Sequence, residues 1–452
     1  MPPPWCAVAK RGSIRQAAMA ALGWRGGSMS GRGEPGVAPR SILVIGAGIV
    51  GLAIAWRLLR EGAAVAVVDP EPPGEGGASF GNAGAISSSS VAPLAMPGML
   101  AQVPRMLLDP AAPLHIPLGY WLRAAPWLAR FVAAARPAAV ARAAAALDAL
   151  QHLATEQHID LAAEIGAPEL IQTQGNLYLY RGPEQLAKDR ASWDLRRAHG
   201  ARVEVLDRAG LLSLEPQIGP AYTLGMFLPD HAHCASPFRY AQAVAEAFRQ
   251  AGGEIRRDRI RALTVAEGRA TGAEGEARRH EADAVVLAAG AWSARLLAPL
   301  GYRIPLEAQR GYHVNLPDSG IAIRRSVVPA DRKVFITPME GGLRVAGTVE
   351  FGGLERPPNE ARARLLYGDL AAVFPSARLA GATGFWMGHR PCLPDSVPVI
   401  GPAARVQGLW FAFGHGHLGL TGAAPTARML APAVLGRPAN QDFTPFAAER
   451  FG

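Results

Sequence analysis

Ser41-Ile42-Leu43-Val44-Ile45-Gly46-Ala47-Gly48-Ile49-Val50-Gly51 is the stretch from which the fold can be read. After Ser41 the next four residues are β-branched or aliphatic and apolar on both faces, as in a strand buried in a parallel sheet. A helical stretch then runs to Arg60, and Gly62 stops it. Ala64-Val65-Ala66-Val67-Val68 is a second buried strand, and it ends at Asp69. The three pieces make a β-α-β unit with glycines at its first turn. Gly46 permits the tight turn, Gly48 admits a pyrophosphate against the backbone, and Gly51 lets helix and strand pack closely. The helix start supplies unpaired N–H groups and positive partial charge to phosphate oxygens. Asp69 stands where an acid accepts a ribose hydroxyl.

Outward from this unit, further elements follow. Residues 139–166 read as one alanine-rich helix, 175–180 as a strand and 183–199 as a polar helix. Ser236-Pro237 opens a helix with an N-cap and a first-turn proline. Residues 254–256 read as another parallel strand, 259–282 as a small meander, and 284–287 as a buried strand ending in Ala288-Ala289-Gly290. Residues 304–350 change character, with short strands flanking Gly341-Gly342, and read as a hairpin-rich domain inserted into the first. Residues 359–375 read as a helix. Leu409–Phe413 reads as a strand, followed by Gly414-His415-Gly416-His417 and a last helix from about Gly422.

The chain has 452 residues, room for two or three domains, and 49% hydrophobic against 18% charged residues, which excludes a charge-driven disordered chain. The net charge of +9 points first to nucleic acid or an anionic membrane. Its distribution argues otherwise. Residues 1–40 hold Lys10, Arg11, Arg15, Arg25, Arg32 and Arg40 against the single acid Glu34, so more than half of the excess sits in that tail. The tail reads as a disordered extension, with Met29 as an alternative start, and an organelle-targeting segment as the other reading. Cys6, Cys234 and Cys392 are isolated, which fits neither a disulfide framework nor a metal site, and His231 and His233 lack further ligands at suitable spacing. Trp121–Phe131 interleaves aromatic residues with Arg123 and Arg130; a core-packed helix is expected, and a membrane-surface helix is the alternative.

These pieces resemble the glycine/D-amino-acid oxidase and dehydrogenase family of FAD enzymes over about residues 41–445, and most of all the bacterial D-amino-acid dehydrogenases. The resemblance rests on Gly46 to Asp69, on Ser79-Phe80-Gly81-Asn82-Ala83-Gly84, and on Ala288-Ala289-Gly290-Ala291-Trp292-Ser293. It rests also on Gly388-His389-Arg390-Pro391 with Pro394-Asp395, and on Gly414 to Thr421. It implies an α/β and α+β architecture: a discontinuous Rossmann-like FAD-binding domain (41–90, 144–165, 195–296 and 386–445) with an inserted antiparallel β-rich substrate domain (91–143, 166–194 and 297–385). It implies non-covalent FAD held by Gly46, Gly48, Ile49, Val50, Gly51, Asp69, Ser79, Asn82, Ala83, Gly84, Ile260, Gly290, Trp292, Gly414, Gly416, His417, Leu418, Gly419 and Thr421. The expected reaction is oxidation of the α C–N bond of an amino acid by hydride transfer to the flavin, giving a 2-oxo acid and ammonia.

Arg390 is the expected anchor of the substrate carboxylate, because its fork of N–H donors matches two oxygens. Tyr312 and His415 are the other catalytic candidates. Phe335 stands where the family often has a tyrosine. Cys392 invites a covalent-flavin reading, but a buried, inert thiol is expected. The implied partners are a small amino-acid substrate and an acceptor that is either oxygen or a quinone of the respiratory chain, with no nucleic acid. A cytoplasmic location follows, with peripheral contact on the inner membrane face kept open. The alternatives are a glycine, sarcosine or D-hydroxyproline enzyme of the same fold, an NAD-dependent dehydrogenase, a tRNA-modifying flavoprotein and a non-catalytic flavin module.

Overall fold

The computed structural model describes residues 41–97 and 114–452. The expected disordered tail, residues 1–40, and the segment 98–113 lie outside the described residues. Among the described residues no helix is long and apolar enough to cross a membrane.

The β-α-β unit forms as its residues demand. Strand β1 is Ser41–Ile45, helix α1 is Ile49–Arg60 and strand β2 is Ala64–Asp69. β1 and β2 pair in parallel at the centre of a six-stranded sheet. Across that sheet the order is Glu254–Arg257, β2, β1, Ala284–Leu287, Leu409–Phe413 and Val399–Pro402. Only the last pairing is antiparallel. Alternation along β1 sends Ile42 and Val44 into the core under α1, Pro237–Gln250 and Ala423–Val434. Leu43 and Ile45 enter the opposite core, together with Leu263, Ala270 and Ala273 of the three-stranded meander over 260–281.

The second sheet runs in the order Thr383–Cys392, Glu307–Leu316, Gly342–Phe351, Phe335–Met339, Ser326–Pro329, Asn176–Tyr180, Leu224–Leu228 and Glu204–Leu206. Most pairings are antiparallel; Ser326–Pro329 with Asn176–Tyr180, and Leu114–His115 with Gly342–Phe351, run parallel. Helix Glu360–Val373 packs Leu366, Leu370 and Val373 into its core. The expected domain limit at 195 falls in helix Arg190–Ala198, between strands of this sheet, and that at 386 falls within its strand Thr383–Cys392. Glu204–Leu206 and Leu224–Leu228 extend it beyond Asn176–Tyr180, and Thr383–Cys392 is paired whole with Glu307–Leu316.

Two expected helices are each broken in two. The alanine-rich segment forms Pro137–Gln151 and Ala154–Glu164. The turn between them lets the second helix bring His158 to Tyr240 and to the Leu420 carbonyl. The polar segment forms Pro183–Lys188 and Arg190–Ala198, and the junction residue Asp189 accepts the Tyr180 hydroxyl at 3.0 Å.

Candidate functional site

A cavity of about 1440 Å³ is lined from both sheets. One end is the first turn of the β-α-β unit. Gly46 has φ +114°, and a Cβ there would meet the Ala288 carbonyl oxygen at 2.4 Å. At Gly51 a Cβ would meet the Gly46 carbonyl oxygen at 2.0 Å, so this glycine serves packing and does not line the cavity. Gly48, the residue before α1, has no side-chain cap. The Ile49 N–H donates to Ser79 Oγ at 3.0 Å, which leaves the Ser79 hydroxyl proton free to donate onward. Asp69 Oδ2 accepts the Ala47 N–H at 2.7 Å and Oδ1 accepts the Glu71 N–H at 2.9 Å. Burial raises the Asp69 pKa against the lowering effect of those two bonds. Asp69 therefore braces the glycine turn while still facing the cavity. A helix start facing the cavity behind an N-cap glycine with no side chain, glycines where a Cβ would collide, and an acid at the second strand end together fit an adenine dinucleotide.

The middle of the cavity is walled by Ser79, Asn82, Ala83, Ile260, Gly290, Trp292 and the loop Gly414–Thr421. Gly84 does not line it; with φ +80° it packs away, where a Cβ would lie 2.8 Å from the Cys234 carbonyl oxygen. Asn82 Oδ1 accepts the Gly84 N–H, and its carbonyl accepts Arg344 Nη1 at 2.7 Å. The Thr421 hydroxyl accepts the Ser87 N–H and donates to the Ala85 carbonyl, which ties this loop to the last helix. His415 is buried beside Thr426 Oγ1 at 2.9 Å, and burial lowers its pKa to about 4. It is a neutral, bonded side chain that supports Gly414–Leu418. Gly416 and Gly419 line the cavity, as does Leu418. His417 presents its ring to the cavity; removal from bulk water, and then Arg390 and Arg196, push its pKa down to about 4.

The substrate end centres on Arg390. Its Nη1 donates to the Thr348 carbonyl at 2.8 Å and Nη2 to the Gly347 carbonyl at 3.4 Å. No carboxylate is paired with it among the described residues, and burial lowers its pKa. Those carbonyls are presented by a register shift between Arg310 and Tyr312, opposite the segment 347–350, and by Thr348 itself, at φ +58°. Tyr312 departs from the expectation. Its hydroxyl donates to Glu350 Oε2 at 2.5 Å and accepts the Asn359 N–H at 2.9 Å, so the proton that a substrate carboxylate would need is already committed. Burial, and then Glu350, push its pKa to about 12. Cys392 also lines the wall, with burial raising its thiol to about 12.

Several lining residues were not among the expected site residues. Trp386 stacks on His313 at 5.1 Å and also flanks Gly81, where a Cβ would meet the indole at 2.2 Å. Trp127 and Phe131 close one side, and Tyr178, Arg196 and Lys333 stand at another. Only the alternation of Gly384-Phe385-Trp386-Met387-Gly388 pointed toward Trp386. His231, for which the sequence offered no further metal ligands at suitable spacing, lies 2.6 Å from Ser89 Oγ and 3.2 Å from Asn176 Nδ2.

The family described as FAD dependent oxidoreductase matches residues 41–433. A D-amino-acid oxidase of Bradyrhizobium diazoefficiens is 37% identical over 417 residues, covering 91% of this chain and 99% of that protein. A D-amino acid dehydrogenase of Rhizobium johnstonii is 32% identical, with 91% and 100% covered. Among solved structures, L-proline dehydrogenase from P. horikoshii has a TM-score of 0.71 at 17% identity, with 92% and 98% covered. Glycine oxidase from Geobacillus kaustophilus has a TM-score of 0.69 at 21% identity, with 91% and 98% covered. At those identities the two structures speak for the fold alone.

Proposed function

Since the chain belongs to the FAD-dependent oxidoreductase family of D-amino-acid oxidases and dehydrogenases, we propose that it oxidises the α C–N bond of a D-amino acid. The observation that carries this reading is Arg390: a guanidinium out of bulk water, facing the cavity, held by two backbone carbonyls and by no acid among the described residues. A cation so placed favours an anion, and its remaining N–H donors suit the two oxygens of a carboxylate. Non-covalently bound FAD supplies the acceptor for the hydride. Gly46, Gly48, Ile49, Ser79 and Asp69 would hold its dinucleotide part, and Gly414–Thr421 its ring. The protein fixes the carboxylate on Arg390, so that the α C–H has one orientation. Apolar walls such as Trp127, Phe131 and Trp386 exclude water from that end. No side-chain base is assigned, because a neutral amine itself drives the hydride out. The product imine hydrolyses to a 2-oxo acid and ammonia.

The electron acceptor belongs to this proposal as oxygen or a membrane quinone. Peripheral membrane contact is supported by Leu118 and Leu122, 91% and 94% exposed, beside the exposed Arg123 and Arg130 of helix Trp121–Ala134. The test is anaerobic mixing of the yellow protein with D- and L-amino acids, followed by air. Bleaching by D-amino acids is expected, and readmitted air tells oxidase from dehydrogenase. Bleaching by L-enantiomers alone, or by no amino acid, overturns the reading.

A further inference from the structure

The cavity holds a second cation that binding of an α-carboxylate leaves unused. Arg196, half-buried on helix Arg190–Ala198, lies 5.2 Å over the ring of Trp193 and 5.6 Å over that of Tyr178. Its one hydrogen bond, Nη1 to the Ser89 carbonyl at 3.4 Å, is long. Lys188 and Lys333 line the same cavity. None of the three is paired with a carboxylate among the described residues.

Of the acids that line the cavity, Asp69, Glu71 and Asp258 lie at the dinucleotide end, and Glu355 pairs with Arg295 at 2.6 Å. Asp189 accepts the Tyr180 hydroxyl and forms no ion pair with Arg196, Lys188 or Lys333 among the described residues. Arg196 and Arg390 both line this one cavity, and His417 lines it with them. Between them the walls are apolar and aromatic, with Tyr178, Val328 and Phe335. Two unneutralised guanidinium groups facing one low-dielectric chamber repel each other and favour a ligand with two negative ends.

We propose that the chamber selects amino acids carrying a second carboxylate, with Arg390 taking the α-carboxylate and Arg196 the side-chain carboxylate. This rests on the amino-acid reading above. Trp193 and Tyr178, whose rings stand at 90° to each other, both lie against the Arg196 guanidinium, so the side chain is already confined and loses less freedom on binding.

The test compares D-glutamate and D-aspartate with D-alanine and D-norvaline on the holoenzyme. The acidic pair is expected to have the higher kcat/KM by about tenfold or more. Arg196→Leu should cut the acidic-to-neutral ratio by about 30-fold, and Arg196→Lys should restore part of it. Glutarate and butyrate, which cannot turn over, give a second readout: glutarate should perturb the flavin spectrum of the wild type at about tenfold lower concentration. Neutral D-amino acids preferred by the wild type, equal binding of glutarate and butyrate, or an Arg196→Leu variant that slows all substrates alike overturns the dicarboxylate assignment only. Absence of bleaching by any amino acid overturns the oxidase reading itself, and this assignment with it.

Discussion

The guanidinium of Arg390 lies across the Cα of Gly311, so close that a Cβ at Gly311 would stand 2.0 Å from Nη2 and 2.1 Å from Cζ. The two residues sit on adjacent antiparallel strands, where Gly311 faces Gly388 and Arg390 faces Gln309. The absent side chain at 311 is the space in which the cation rests.

Gly311→Ala should therefore move the guanidinium by about an ångström and lower kcat/KM by about 100-fold, through KM, with FAD still bound. Steady-state kinetics and the flavin-to-protein absorbance ratio check it. An unchanged KM would remove Arg390 from the substrate site. Arg390→Leu should cost at least as much, since charge-assisted hydrogen bonds of roughly 1.5–3 kcal/mol each are lost.

The flavin should leave the protein without bond cleavage. Burial raises the Cys392 thiol to about 12, so it is scarcely nucleophilic at neutral pH. Acid precipitation is expected to release all yellow colour into the supernatant, and Cys392→Ser should purify with the same flavin content. Colour that stays with the pellet would mean a covalent bond.

Stability should fall with acid well before carboxylates titrate. His158 and His415 are buried, and burial lowers both from 6.5 to about 4. For a depressed histidine the unfolded chain binds the proton first. Its contribution is complete above pH 6.5 and disappears as pH falls toward 4, at roughly 3 kcal/mol per histidine. Melting temperature followed from pH 7 to 5 should drop, and His158→Gln should flatten the slope by up to one proton. A wild-type profile flat over that range would contradict the assignment.

Glu215 and Arg325 form a buried pair, with Nε donating to Oε1 at 2.9 Å and the Arg324 N–H donating to the same oxygen at 3.1 Å. Glu215→Leu strands the guanidinium and should cost roughly 3–5 kcal/mol. Adding Arg325→Met should recover most of that, as buried pairs replaced by apolar groups commonly do. Urea unfolding of the three variants measures it, and a double variant no better than the single would point to packing instead.

The parts legible in the sequence were the local ones. Strand β1, the glycine turn, Asp69 and the meander over 260–281 follow from periodicities and spacings a few residues long, and each formed where its residues placed it. Arg390 was legible through a motif, and the cavity reaches it. Tyr312 lines the cavity, but what its hydroxyl does there depends on a remote residue: Glu350, 38 residues away, accepts its proton. Gly84 was read as a cofactor contact because it closes the loop that resembles the family's flavin loop, yet it does not line the cavity, and a Cβ there would meet the Cys234 carbonyl oxygen. Arg196 lies in the stretch read as a polar helix and was not singled out; its contacts with Tyr178 and the Ser89 carbonyl exist only once that helix is packed.

By itself, then, the sequence determined that a dinucleotide has a place to lie, since a turn and a helix start are built by neighbours in the chain. Which side chains face the substrate was decided by tertiary structure alone. That wall is assembled from strands and helices hundreds of residues apart, and a pairing register or a bulge at Thr348, not any local pattern, sets where each group points.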